Sequence, residues 1–188
     1  MAARLDCLVQ DVDVTWSRDP IPYLRELSTD YETIWMDDGA RTNRFAPFFA
    51  NTGFYYLRNN LQVAAFWDAV LYFGPYSFSY RSNQQTVNMV MEWYATRWGL
   101  SVKVLPWQLF PSGNRISMDK ARATHRNEPL RKALDEGYVK HYCWTRSIKE
   151  KVEKMISHGD LHIAKDCVLS AGAKCPKGAK SVDAICAL

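Results

Sequence analysis

A chain of 188 residues, 47% hydrophobic and 23% charged, has the size and composition of one globular domain and excludes a disordered or fibrous protein. Its 24 basic residues outnumber 20 acidic ones with no basic stripe, which argues against a nucleic-acid face and tolerates an anionic ligand. No stretch reaches the ~18 apolar residues of a membrane span and no charged leader precedes an apolar segment, so the chain reads as soluble, with neither signal nor anchor. Five cysteines (Cys7, Cys143, Cys167, Cys175 and Cys186) include no C-x-x-C pair and no zinc spacing, and their odd number rules out complete internal pairing.

In chain order, Leu5 to Trp16 is an apolar, β-branched run read as a buried strand, followed by a turn at Asp19-Pro20. Asp19 as N-cap and Pro20 at the first helical position predict a short helix to Leu27. Tyr31 to Met36 alternates as a short strand, and Arg41 to Pro47 reads as a loop. Phe48 to Arg58 is a second strand, interrupted at Asn51-Thr52-Gly53, where glycine signals a bulge or a close backbone approach. Asn60 caps a helix through Val63, Phe66, Trp67 and Val70, which Gly74-Pro75 stops. Ser82-Asn83-Gln84-Gln85 has capping-box form and opens a helix that reaches Trp98 and ends at Gly99. Leu100 to Leu105 is a strand, and a variable-looking region runs from Trp107 to Glu128. A short helix is expected over Pro129 to Glu136 and a last strand over Tyr138 to Trp144. A second capping box, Ser147-Ile148-Lys149-Glu150, begins a helix ending near Gly159. The expected organisation is one α/β domain over 1–159 and a loosely packed tail over 160–188.

Chemistry concentrates at Asp11-Val12-Asp13. On a strand, residues i and i+2 share a face, about 6–7 Å apart at their Cα atoms. Carboxylates that close ionise together when a cation lies between them, and a hard divalent ion with oxygen ligands is the usual solution. The plainer reading is a strand end whose acids face water. Asp11-Val12-Asp13-Val14-Thr15 also fits the string of haloacid-dehalogenase-like phosphatases, but their later lysine and acidic pair have no match, since Asp37-Asp38 comes too early.

Three stretches in order, Asp11 to Pro20, Ala50 to Arg58 and Asn83 to Asn88, resemble the nucleotide-diphospho-sugar transferase domain of the plant and algal extensin/rhamnogalacturonan xylosyl- and arabinosyltransferase group. The resemblance covers Leu5 to Lys149, weakest over Trp107 to Gly137, and implies a retaining transferase of the GT-A fold. That fold is Rossmann-like, a mixed, mostly parallel sheet flanked by helices. The resemblance further implies a metal-dependent glycosyltransferase moving a sugar from a nucleotide-diphosphate donor, a UDP-sugar, to a glycan or glycoprotein hydroxyl in the Golgi lumen. Asp11 and Asp13 match the metal-binding aspartates and His141 the late histidine, whose nitrogen favours Mn²⁺ over Mg²⁺. Read without the resemblance, His141 among aromatics is equally a packed core histidine.

Asn51, Thr52 and Gly53 match the donor-sugar segment, and Gln84 matches the glutamine beside the reacting carbon, where an amide stabilises developing positive charge. Asn83 stands where the family has an aspartate, a departure that bears on activity. Lys149 is the diphosphate candidate, although Ser147 stands where a glycine is expected. Only ten residues precede Asp11, where the family places a β-α-β nucleotide-binding region, so the fold is expected to be N-terminally incomplete. A catalytically inactive homologue acting as a binding module is therefore the alternative to the enzyme.

Overall fold

The computed structural model describes residues 5–39, 48–80, 82–113, 116 and 136–161. They fall into two compact units, Met1–Trp144 and Thr145–Leu188. The predicted loop Arg41 to Pro47, nearly all of the regions Trp107 to Glu128 and Pro129 to Glu136 beyond residue 113, and the tail after residue 161 lie outside the described residues.

The first unit is built on a four-stranded sheet in the order β1-β4-β3-β5, with β1 Cys7–Gln10, β3 Thr33–Asp37, β4 Ala50–Leu57 and β5 Val102–Val104. A second sheet pairs β2 Val14–Trp16 with β6 Val139–His141. The mostly parallel sheet expected from the sequence is corrected here. Among the described strands of the first sheet, β1 and β3 both run antiparallel to β4, and β3 with β5 is parallel. β3 and β5 have three described helices between them, the kind of crossover that a parallel pair needs.

A second correction concerns Leu5 to Trp16. It is two strands in two sheets, and β1 is largely exposed. The chain leaves the first sheet after Gln10 and enters the second at Val14, so Asp11 and Asp13 sit on the turn between them and not on one strand face.

Alternation along β3 builds the core on both sides of the sheet. Trp35 faces Val63, Phe66, Val70, Val87, Val90 and Met91, the inner stripes of α2 Leu61–Tyr72 and α4 Asn83–Trp98. Ile34 and Met36 face the other way, toward Leu24 of α1 Ile21–Leu27, Phe54, Phe110 and Val139. The caps explain the helix limits. The Asn60 side chain accepts the Val63 N–H, and Gly99 ends α4 in the left-handed conformation at φ +70°. Gly74, expected only to stop α2, also opens α3 Gly74–Tyr80. Two cap expectations fail in detail: Ser82 makes no side-chain cap bond, and Pro20 takes the N-cap of α1, with Asp19 Oδ1 accepting the Ile21 N–H at 2.9 Å.

The second unit contains α5 Ile148–Ser157, whose Ser147 side chain accepts the Glu150 N–H at 3.1 Å as its capping box predicts. The Glu150 carboxylate reaches the N–H of Arg146 at 2.8 Å, one residue earlier than that box requires.

Candidate active site

β6 is buried along its whole length, and its register against β2 sets Val14 opposite His141. On the other flank the His141 N–H donates to the Pro111 carbonyl at 3.1 Å, so the backbone of this histidine is held from both sides. The Tyr142 N–H donates to the carbonyl of Asp13 at 3.0 Å, tying β6 to the turn that carries the acids. His141 Nε2 thereby lies 3.7 Å from Asp11 Oδ2 and 3.5 Å from Asp13 Oδ1. Among the described residues these three form a group whose ligand atoms all stand within 4.8 Å of one another.

The group is electrostatically uneven. Asp13 and His141 are buried, at 5% and 3% exposure, while Asp11 faces solvent. Burial disfavours the charged imidazole, but its hydrogen bond to Asp13 and the neighbouring Cys143 sulfur outweigh this and push its pKa up to about 10. Burial, and after it the negative Asp11, push the Tyr55 hydroxyl above its ordinary range. The site thus holds a positive charge between two acids, supplied in the protein alone by a proton on His141. Two carboxylates and one imidazole nitrogen, one acid open to solvent, form a donor set that fits a divalent cation such as Mn²⁺ or Mg²⁺.

Beside this group stands an amide network. β4 slips its register against β3 between Trp35 and Met36, leaving Thr52, Gly53 and Phe54 between the pairs Trp35–Tyr55 and Met36–Asn51. That is a bulge, one of the two outcomes that glycine in the strand pattern signals. Asn51 Oδ1 accepts the Gly53 N–H at 2.8 Å, and Asn51 Nδ2 donates to the buried Asp38 at 2.8 Å. Gln84 bridges the same features, accepting from the Thr52 N–H at 3.1 Å and donating to Asp38 Oδ1 at 3.1 Å. Asn83, at the start of α4, is exposed.

Asp11, Asp13 and His141 therefore meet, and Asn51, Thr52, Gly53 and Gln84 are joined to one another. Lys149 belongs to the second unit, where it is exposed and lies 4.0 Å from Glu153 on the same helix. Asp38 is the residue that reading the sequence missed. It ties Asn51 to Gln84, and its signal was an acid pair directly after a short apolar strand.

The family model for nucleotide-diphospho-sugar transferases matches residues 2–155, which is most of the chain and includes all of these residues. No match was found among curated proteins.

Proposed function

The chain belongs to the nucleotide-diphospho-sugar transferase family, and on that premise we propose that it is a metal-dependent glycosyltransferase. Its donor would be a nucleotide-diphosphate sugar of the UDP type and its acceptor a hydroxyl of a glycan or glycoprotein. The observation that carries this reading is the Asp11, Asp13 and His141 group. These residues would hold Mn²⁺, preferred over Mg²⁺ because one ligand is a nitrogen. A bound divalent ion would neutralise the diphosphate and so make the nucleotide a better leaving group.

The protein's own residues supply the rest. In this reading the Asn51–Gly53 segment and Asn83 serve the donor sugar, and the Gln84 amide supports positive charge developing at the sugar carbon. Asp38 fixes the orientation of both amides. Lys149 is retained as a diphosphate ligand on sequence grounds alone. The Golgi lumen is the compartment this chemistry implies; no described helix is long and apolar enough to cross a membrane. Family membership favours sugar transfer over the phosphatase reading.

Isothermal titration of the full chain with Mn²⁺ should show binding that Asp13→Ala abolishes; unchanged affinity in that variant sinks the metal assignment. Incubation with a panel of nucleotide sugars and Mn²⁺ then separates enzyme from binding module. Donor turnover above background supports transfer, and its absence with intact Mn²⁺ binding favours the inactive homologue.

A further inference from the structure

We propose that Gly53 is a positioning residue of the metal centre, the surface on which the His141 imidazole is seated. The inference rests on the metal reading above and gives a second task to a residue assigned there to the donor sugar.

Gly53 is not among the glycines with positive φ, so its backbone conformation does not demand glycine. Space does. A Cβ on Gly53 would lie 2.1 Å from Cε1, 2.6 Å from Nε2 and 2.8 Å from Nδ1 of His141. Those are atoms of a rigid ring, not the end of a flexible chain. The ring cannot retreat by a strand shift without breaking the Val14–His141 register on one side and the bond to Pro111 on the other. The same glycine holds a second ligand through its backbone, because its carbonyl accepts the Asp11 N–H at 2.8 Å. Its own N–H is fixed by Asn51 at 2.8 Å. Gly53 therefore touches two of the three metal ligands, one through its backbone and one through its bare Cα.

Groups that orient metal ligands commonly change metal affinity by about 10–100-fold when replaced. Gly53→Ala should weaken Mn²⁺ binding by a factor in that range, as read by titration calorimetry. With Co²⁺ as a spectroscopic probe, its visible absorption should approach that of His141→Ala, which lacks the nitrogen ligand. Gly74→Ala is the control, since a Cβ there meets nothing within 4 Å, and it should bind Mn²⁺ like the parent chain. Urea midpoints of the metal-free proteins complete the test. Gly53→Ala should lower the midpoint when His141 is present and much less in a His141→Ala background, where the Cβ has room. If Gly53→Ala alone does not fold, folding of the Gly53→Ala/His141→Ala protein supports the proposal. Equal destabilisation in both backgrounds, or Gly53→Ala binding Mn²⁺ like the parent, overturns it. Failure of the parent chain to bind Mn²⁺ removes the metal reading, and the stability comparison still decides whether His141 is seated on Gly53.

Discussion

Replacing Asp38 by alanine should destabilise the metal-free protein by about 2–4 kcal/mol. The carboxylate is 4% exposed, and its Oδ1 accepts from Asn51 Nδ2 at 2.8 Å and Gln84 Nε2 at 3.1 Å. Hydrogen bonds to a charged group contribute roughly 1.5–3 kcal/mol each, and a buried donor left without a partner costs about 1–3 kcal/mol. Asn51 is 3% exposed and pays near the upper figure, while Gln84 is half-buried and recovers part of its loss by meeting water. Relief of the buried charge offsets some of the total, which gives the stated range. Urea denaturation followed by tryptophan fluorescence reads it as a shift in midpoint at constant slope. Asp38→Asn keeps an acceptor oxygen of the same shape and should lose less. The double variant with Asn51→Ala should show coupling above about 1 kcal/mol. A loss below about 1 kcal/mol for Asp38→Ala, or strict additivity with Asn51→Ala, would refute the view of Asp38 as the centre of this network.

The raised pKa of His141 makes stability depend on alkaline pH. Because the folded value of about 10 lies above the ordinary 6.5, the contribution is fully present below about pH 6.5 and is lost as pH rises through 10. The difference in urea midpoint between the parent chain and His141→Gln, measured in chelator, should therefore shrink over that window; a constant difference would contradict the assignment. Asn60→Ala should cost about 1–2 kcal/mol, since its side chain accepts the Val63 N–H at 2.8 Å and also donates to Glu32 at 2.9 Å. Thermal melts followed by circular dichroism measure that loss.

The elements with local causes were legible in the sequence. Asn60 and Gly99 bound their helices where the chain shows a cap residue and a left-handed glycine, because both signals act within one turn. The glycine at 53 signalled a bulge or a close backbone approach, and the strand is bulged there. What could not be read was pairing between distant segments. Alternation put Asp11 and Asp13 on one strand face, yet β2 leaves the first sheet to join β6, more than a hundred residues later. The two acids meet His141 through that register and not through strand periodicity. Alternating strands and helices pointed to a parallel sheet, whereas the consecutive strands β3 and β4 pair antiparallel.

Residues from four separate stretches converge on β4 around the bulge. Neighbouring residues of a central strand bond to opposite flanks, so Gly53 faces the β1 side, continuing the Gln10–Phe54 register, and an unbroken ladder would spend Thr52 on β3. The register slip releases Thr52. The Thr52 N–H then binds Gln84 on α4, the Gly53 N–H binds the Asn51 side chain, and the Gly53 carbonyl binds Asp11. The bare Cα of Gly53 receives the His141 ring from the second sheet. β4 thus offers each site segment a different group within three residues. The irregularity therefore ties α4 to the strand, so returning Thr52 to regular pairing with β3 would release Gln84 while the β1 register keeps Asp11 on Gly53.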